Sequence, residues 1–296
     1  MEKTGCTLCP RRCGANRTTG RGQCGMGARR RVARAALHTG EEPCLCGERG
    51  AGAVFFSGCA LHCVFCQNAE ISQRGFGKEI GTAQLAEIFL RLQDEGAQTL
   101  DLVSPTHFAP QIARALERAK PRLRIPVVYN SNGYDSPEAL GMMDGLVEIY
   151  LPDLKYKDAA LSKAYSGAAD YFDVAQAAIQ EMYRQTGPLQ WGANGVLQRG
   201  LMVRHLLLPG CRKDSMAVLE ALSRLAPPRH ILLSLMSQYT PCYRAAAYKE
   251  IDRRVTDFEI DSVRDYAVRL GFEGYGQARS AADSRYTPAF DLTGVW

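Results

Sequence analysis

Residues 53–66 read Ala53-Val-Phe-Phe-Ser-Gly-Cys-Ala-Leu-His-Cys-Val-Phe-Cys66. The apolar run that opens this segment predicts a short buried strand, and the following glycine ends it. Cys59, Cys63 and Cys66 then lie on the loop beyond the strand, in a C-x3-C-x2-C spacing with no fourth cysteine close by in the sequence. A 4Fe–4S cluster is normally held by four cysteine thiolates. Three thiolates therefore predict a cluster with one open iron, which can bind a substrate or cosubstrate.

Two other interpretations of the cysteine triplet have to be weighed. It could be a structural zinc site that lacks one ligand, or a set of unrelated thiols, since free cysteines often pack inside proteins. A strand that leads directly into this spacing is a more specific pattern than either alternative requires. Phe65, just before the third cysteine, adds an aromatic face beside the metal. The pattern therefore favours an iron–sulfur site.

The residues on either side of the cysteine triplet resemble the sequence of a known family. Phe55-Phe-Ser-Gly-Cys59 and Cys66-Gln-Asn68 resemble the cluster loop of the radical S-adenosylmethionine (SAM) superfamily, in the branch similar to pyruvate formate-lyase activating enzyme. The similarity runs over most of the chain. It implies that Cys59, Cys63 and Cys66 hold a 4Fe–4S cluster whose open iron is chelated by the amino and carboxylate groups of SAM. It also implies that Phe65 lies against the adenine.

Beyond residue 53, short apolar runs alternate with amphipathic helical patterns, which predicts an α/β fold with a parallel sheet. Six such units favour an incomplete, TIM-type (β/α)6 barrel, and the resemblance implies the same fold. The predicted strands are 53–57, 99–104, 125–130, 146–151, 201–208 and 230–236.

Residues typical of helix ends support this alternation of strands and helices. We expect a helix over 82–95 with Thr82 as its N-cap, and one that starts at Ser136 with a proline at its first position. Asp214 is predicted to cap a third helix, and residues 259–270 form a fourth amphipathic pattern.

Polar residues follow the predicted strands at the ends where parallel barrels place their active sites. The resemblance implies SAM contacts at Asn132, Asp153, Lys155 and Arg204. The family's Gly-Gly-Glu segment after the second strand is absent, and Ser104-Pro-Thr106-His107 stands in its position. Ser104 and Thr106 are therefore the expected substitutes. Each of these residues could instead be an ordinary rim side chain, and His205 is expected to be structural.

A second set of cysteines precedes the barrel. Cys6, Cys9, Cys13 and Cys24 are spaced C-x2-C-x3-C-x10-C, as a closed tetrahedral zinc site requires. Iron or an auxiliary cluster uses the same ligands, and zinc is favoured because the segment is too short to bury a cluster by itself. The other cysteines, expected to be free thiols, are Cys44, Cys46, Cys211 and Cys242.

The expected organisation is a cysteine-rich module at 1–50, a barrel at 51–271 and a tail at 272–296. Residues 1–34 contain nine Lys or Arg and one acid, or +8, so the remainder carries −3 of the total +5. A basic module can meet nucleic acid or an acidic partner. The simpler interpretation is that its arginines offset the thiolates among them, which makes nucleic acid the less favoured partner.

The chain has no run of about 18 apolar residues and no signal-peptide pattern, so we expect a cytoplasmic protein without a membrane segment. Its eleven cysteines are then expected to be metal ligands or thiols rather than disulfides.

The sequence thus predicts an anaerobic radical SAM oxidoreductase with a 4Fe–4S cluster, SAM and an N-terminal zinc. It needs an external electron donor of the flavodoxin or ferredoxin type. The first candidate substrate is a glycyl-radical protein, although the cysteine insertion that many such activators carry after the cluster loop is absent between Cys66 and Thr82. The alternatives are a radical SAM enzyme acting on a small molecule or peptide, and a nucleic-acid-binding zinc module on an inactive barrel.

Overall fold

The computed structural model describes residues 5–276 and 288–296. Its centre is one sheet, whose strands are β1 Arg31–His38, β2 Ala51–Phe56, β3 Lys78–Glu79, β4 Leu100–Val103, β5 Val127–Ser131, β6 Ile149–Pro152, β7 Gln190–Trp191, β8 Leu197–Leu206, β9 Ile231–Met236 and β10 Glu273–Gly276. The helices are α1 Pro43–Cys46, α2 Ala69–Ser72, α3 Thr82–Asp94, α4 Ala109–Ala119, α5 Pro137–Gly141, α6 Ala159–Ser166, α7 Tyr171–Thr186, α8 Arg212–Leu225 and α9 Asp257–Arg269.

The predicted α/β fold is confirmed. The strand order is β10-β9-β8-β6-β5-β4-β2-β1-β3, with β7 paired to β8 alone. From β2 to β10 the neighbours on this path are parallel, whereas β1 pairs antiparallel with both β2 and β3. Within the described residues the end strands β3 and β10 do not pair with each other, so the barrel is open.

The structure adds strands that the alternation did not predict. Six predicted strands correspond to β2, β4, β5, β6, β8 and β9, within a few residues. The seventh parallel strand, β10, has the sequence Glu-Gly-Tyr-Gly, which has no apolar run to reveal it. β1 was missed because it lies in the segment assigned to the cysteine-rich module.

Two predicted helix caps are wrong and one is right. Ser136 caps α5 by accepting a hydrogen bond from the backbone N–H of Ala139. Thr82 is instead the first residue of α3, and its hydroxyl accepts a bond from Arg30 at 2.9 Å. Asp214 lies in the first turn of α8, where its carboxylate accepts the backbone N–H of Asp158 at 2.8 Å. In both cases the side chain serves a distant partner rather than its own helix.

The helix expected over 259–270 begins earlier than predicted. Thr256 caps α9, and its side chain and that of Glu259 each bind the other's backbone N–H in a capping box.

The N-terminal residues do not form a separate unit ending near residue 50. β1 pairs with β2 over six registered positions, so the sheet crosses that boundary. Residues 5–30 have no helix or strand and pack on the barrel, where Arg17 donates to the carbonyl of His107 at 2.6 Å. Of the predicted tail 272–296, residues 277–287 lie outside the described part. Residues 288–296 pack along β1, where the Ala35 N–H donates to Thr293 at 2.9 Å.

The short helix α1 closes the inside of the barrel. β1 runs antiparallel to β2. Its last residue, His38, therefore lies at the amino ends of the parallel strands, where it pairs with Ala51. Cys44 and Leu45 of α1 then pack inside the sheet. The side chains they meet there are those of Val128, Ile149, Leu151, Met202 and Leu232. In the described part of the chain, no helix is both long and apolar enough to cross a membrane.

Candidate functional site

A cavity of about 260 Å³ opens at the carboxyl ends of the parallel strands. The loop after β2 supplies one wall, with Cys59, Cys63 and Cys66. The ends of β4, β5, β6, β8 and β9 supply the others. Among the predicted site residues, those that line this cavity are Cys59, Cys63, Phe65, Cys66, Ser104, Asn132, Asp153, Lys155 and Arg204.

Each of the three cysteine sulfurs in the loop has one polar side chain in contact. The pairs are Asn132 Nδ2 to Cys59 Sγ at 3.1 Å, Ser166 Oγ to Cys63 Sγ at 3.0 Å and Ser72 Oγ to Cys66 Sγ at 3.2 Å. Such groups can donate to a thiolate, and hydrogen bonds to the sulfurs help to set a cluster's potential. The three supports come from three different elements, so only the folded barrel assembles them.

Burial makes these thiols hard to ionise without a cation. It raises the pKa of Cys59 to about 12 and that of Cys66 to about 11, and the neighbouring cysteines add to both shifts. Burial also raises the pKa of Cys63, although the Lys155 ammonium works against it. A metal centre removes this penalty, because bound thiolates are balanced by its charge. The donor set therefore fits a cluster held by three thiolates.

The N-terminal segment holds the cysteine loop from the other side. The backbone N–H of Cys59 donates to the carbonyl of Cys24 at 3.2 Å, and Arg11 Nε donates to the carbonyl of Ala60 at 3.0 Å. Gly58 has φ +90°, in the left-handed region that favours glycine. The two groups of cysteines that the sequence separates are thus neighbours in the fold.

The rim carries a buried ion pair close to the cysteine loop. Lys155 Nζ lies 2.5 Å from Asp153 Oδ2. Burial opposes the charged form of Lys155, but Asp153 and Cys63 raise its pKa above its usual range, so it stays protonated. The hydroxyl of Tyr171 donates to the carbonyl oxygens of Asn132 and Asp153, 2.9 Å from each, which fixes the backbone of both segments.

Two further predicted contacts flank the thiols. Phe65 packs edge-on against Tyr239 with ring centroids 5.8 Å apart. Ser104 has φ +60°, a strained conformation for a residue other than glycine, and strain of this kind clusters at functional sites.

Thr106 is the predicted SAM contact that the structure does not bring to the cavity. It is buried in a short 3₁₀ turn, and its hydroxyl donates to Asp135 at 2.6 Å. Asp135 also accepts from Tyr129 and Ser131, and burial raises its pKa. Thr106 therefore belongs to a closed hydrogen-bond network behind the rim.

His205 is structural in its surroundings, as expected. It is buried, its Nδ1 lies 2.6 Å from the carbonyl of Leu154, and burial lowers its pKa to about 4.

The N-terminal cysteines are organised by their own backbone. The backbone N–H of Arg11 favours the thiolate of Cys9, and those of Ala15 and Met26 favour the thiolates of Cys13 and Cys24. Burial raises the pKa of Cys9 to about 11, whereas at Cys13 the backbone N–H groups outweigh burial and lower the pKa. Over residues 5–276 and 288–296, no three Cys, His, Asp or Glu side chains form a ready-made metal site. Both sets of thiols would therefore have to draw together around a metal.

The other cysteines lie away from the cavity lining. All eleven cysteines fall within the described residues and are free thiols. Cys44 and Cys46 are buried in α1, where Cys46 Sγ lies 3.5 Å from the carbonyl of His38. Cys242 donates to the carbonyl of Phe65 at 3.1 Å, so it supports the cluster loop from behind.

Sequence reasoning missed a set of polar residues at the deep end of the cavity. Arg204 does not extend freely from the rim, because its guanidinium pairs with both Glu41 and Glu42. The glutamates lie in the segment that had been assigned to the N-terminal module. Asp101, a lone acid within the apolar strand β4, was the one local signal that could have revealed this region.

Comparison with known proteins agrees with the fold and the loop. Residues 53–163 match the family model of the Radical SAM superfamily. An uncharacterised protein of Methanocaldococcus jannaschii is 29% identical over 282 residues, which cover 90% of this chain and 75% of that protein.

Solved structures of Streptococcus suis SuiB share the fold. SuiB bound to the precursor peptide SuiA is 14% identical, with a TM-score of 0.51, covering 74% of this chain and 46% of SuiB. SuiB bound to S-adenosylmethionine gives a TM-score of 0.50 at 14% identity, covering 74% and 47%. The chain thus spans about half the length of SuiB, and at this identity the likeness is one of fold alone. The segment that matches the Radical SAM family model, residues 53–163, thus contains the three-cysteine loop and lies on a parallel barrel.

Proposed function

We propose that this protein reductively cleaves SAM at a 4Fe–4S cluster held by Cys59, Cys63 and Cys66. The observation that carries the proposal is that three buried thiols, each with a polar side-chain contact at its sulfur, line one cavity together with charged rim residues. When bound, the cluster and SAM supply one-electron chemistry that yields methionine and a 5′-deoxyadenosyl radical. The barrel's part is to hold both groups, orient them and exclude water.

The rim has the chemistry that SAM requires. We propose that Lys155 faces the methionine carboxylate, while Asp153 and Asn132 serve its ammonium and the ribose hydroxyls. Phe65 offers an apolar face to the adenine, and Ser104, at the sequence position of the family's Gly-Gly-Glu segment, is proposed to replace it as a polar contact. Because Lys155 is held charged beside Asp153, it presents a fixed cation at this edge of the cavity. For Arg204, its pairing with Glu41 and Glu42 favours a role in shaping the cavity floor.

The test is anaerobic reconstitution with iron and sulfide, followed by dithionite and SAM. We expect 5′-deoxyadenosine and methionine in equal amounts. If a protein that binds the cluster forms no 5′-deoxyadenosine, the proposal is wrong.

For the hydrogen donor, we propose a glycine backbone of a partner protein, on the sequence resemblance to activating enzymes. The experiment incubates the reduced enzyme and SAM with candidate partners and records electron spin resonance. A glycyl-radical doublet on the partner supports the proposal. Radical-free partners, with 5′-deoxyadenosine still formed, favour a peptide or small molecule. SuiB, with a similar fold, has been crystallised with a precursor peptide.

Hydrogen bonds to the cluster sulfurs predict a measurable effect on potential. Changing Ser166 to alanine removes the hydroxyl at Cys63, and changing Ser72 to alanine removes the one at Cys66. Each bond stabilises the more negative, reduced cluster, so each variant should have a lower reduction potential. A redox titration followed by spin resonance measures the shift, with Ser223→Ala, a change at a half-buried hydroxyl in α8, as control. A potential equal to that of the wild type in both variants would contradict the role assigned to these hydroxyls.

We also propose that Cys6, Cys9, Cys13 and Cys24 bind one zinc ion. The backbone N–H groups directed at three of these sulfurs support thiolates, and the Arg17 guanidinium lies 3.9 Å from Cys6 Sγ. Elemental analysis of protein purified without added iron should give one zinc per chain, lost in a Cys9→Ser, Cys24→Ser double variant. Iron in place of zinc at this site, seen in protein that lacks the three loop cysteines, would instead make it an iron or auxiliary-cluster site.

The electron needed for reduction is proposed to come from an external donor of the flavodoxin or ferredoxin type. The basic N-terminal segment lies directly on the cysteine loop, so an acidic donor that docks there would approach the cluster closely.

A further inference from the structure

Inside the barrel, at the lining of the cavity, two glutamates share one arginine. Arg204 Nε donates to Glu42 Oε1 at 2.8 Å, and its terminal nitrogen contacts carboxylate oxygens of both Glu41 and Glu42. The side chains are 9% exposed for Glu41, 1% for Glu42 and 14% for Arg204. Burial opposes ionisation of Glu42, but the guanidinium holds its pKa below the usual range. The guanidinium of Arg204 is therefore the counterion of both glutamate carboxylates, in a site with little exposure to solvent.

A third acid, Asp101, belongs to the same cluster, and these four residues are called the floor of the cavity. Asp101 is fully buried, its Oδ2 accepts a bond from Asn130 at 3.1 Å, and its Oδ1 has no hydrogen-bond partner within the described residues. On β4 it is two residues before Val103, so both side chains are on the same face of the strand, and Val103 lines the cavity. Asn130 lines the cavity as well. The unpaired oxygen thus lies in the layer directly below the open space.

Within residues 5–276 and 288–296, no lysine or arginine other than Arg204 forms an ion pair with these acids. His38 Nε2 is 4.0 Å from Glu41 Oε1, but burial lowers the pKa of His38, so it is neutral near pH 7. Burial, helped by Glu41, raises the pKa of Asp101 and favours its protonated form. With Asp101 neutral, the two glutamates and Arg204 leave one negative charge in excess. Buried unbalanced charge is costly, and buried unsatisfied acceptors call for a water, ion or ligand.

Glu41 is the acid that the cavity reaches. It lines the cavity together with His38, Phe55 and Arg204. Phe55 offers an aromatic surface beside it, which suits a cationic group on an apolar stem. The thiols and Lys155, which line the same cavity, suit the cluster and the SAM carboxylate. The cavity lining thus offers one group of residues for the cluster and SAM and another for a cation.

We propose that Glu41, backed by Asp101, binds the cationic end of the hydrogen-donating substrate, an alkylammonium or alkylguanidinium group. This inference rests on the proposed radical SAM function and adds a substrate class to it. The cation can belong to a lysine or arginine side chain of a peptide, or to a free amine.

The test measures binding rather than turnover. Cluster-loaded enzyme with SAM is titrated anaerobically, by calorimetry, with N-acetyl-lysine methylamide, its uncharged isostere N-acetyl-norleucine methylamide, and n-butylammonium. We expect the lysine compound to bind at least about tenfold more tightly than the norleucine compound, as one desolvated charge pair can provide. Glu41→Gln should reduce this preference to about twofold or less, since Glu42 still pairs with Arg204. Comparable binding of n-butylammonium identifies a free amine as sufficient, whereas binding of the lysine compound alone identifies a peptide.

The control is Glu95→Gln, which removes an exposed carboxylate paired with Arg91 and should keep the full preference. If Glu41→Gln does not fold, Phe55→Leu removes the aromatic surface beside Glu41 and should also weaken the preference. Equal binding of the lysine and norleucine compounds by the wild type would overturn the inference, as would a preference unchanged in Glu41→Gln. So would a loss of SAM binding in Glu41→Gln with the preference intact, because the floor would then serve SAM. Since 5′-deoxyadenosine formation is assayed separately, an enzyme that cleaves SAM without a cation preference refutes this inference alone.

Discussion

Replacing Cys59, Cys63 and Cys66 together with alanine should abolish 5′-deoxyadenosine formation, to below about a thousandth of the wild-type rate. Without thiolates the loop cannot retain the cluster, and the reaction then lacks its electron donor site. The product is quantified by chromatography after reduction with dithionite, alongside the iron content of each protein. Since alanine is small and apolar, the buried loop should tolerate the changes, and circular dichroism should show a folded protein.

The matched control for this triple variant is Cys211→Ala. Cys211 is a partly buried thiol at the start of α8 and is not part of either cysteine set. This variant should keep both its iron and its product. A triple variant that still binds four irons and still makes 5′-deoxyadenosine would place the cluster elsewhere.

Gly58→Ala should be the most damaging single change near the loop. Besides the left-handed φ of +90°, a Cβ at this position would lie 2.3 Å from Met26 Cγ, 2.7 Å from the carbonyl oxygen of Cys24 and 3.0 Å from His107 Nε2. The Cys24 oxygen is backbone and cannot rotate away, so the N-terminal segment must shift. We expect a loss of roughly 3 kcal/mol or more in the free energy of unfolding. Urea denaturation measures it, and iron retention should fall in parallel.

Gly141→Ala provides the comparison for this prediction. Gly141 ends α5, and a Cβ there would meet no atom within 4 Å. Its free energy of unfolding should change little or rise slightly, because alanine favours helix. If Gly58→Ala were as stable as Gly141→Ala and kept its iron, the packing of the N-terminal segment on the loop would be weaker than its contacts indicate.

The parts of this molecule that sequence predicted are those encoded locally. The run at 53–57, the cysteine spacing and the apolar strands depend on nearest neighbours, and they recur in the structure within a few residues. Polar rim residues such as Asn132 and Asp153 were found because the carboxyl ends of parallel strands converge. Thr106 was predicted by the same reasoning but lies outside the cavity lining, because the left-handed Ser104 precedes a tight turn that carries Thr106 behind the rim.

What sequence could not predict depends on long-range contacts. Arg204 meets Glu42 across 162 positions, and nothing near either residue identifies the other. Asp214 carries the signature of a helix cap but binds backbone 56 positions away. Cysteine composition separated residues 1–50 from the barrel, whereas β1 within that range is a strand of the sheet.

The course of the first 46 residues has a consequence for how this protein can be divided. Residues 5–30 support the loop at the barrel's mouth, β1 then runs the height of the wall, and Glu41 to Cys46 seal its base. One continuous segment thus contacts the barrel from its mouth to its base. A fragment that began at residue 51 would lack β1 and also the residues that close the base, so the barrel would be open to solvent at both ends. The smallest fragment that keeps both supports therefore begins close to the N-terminal cysteines, well before the segment at 53–163 that matches the Radical SAM family model.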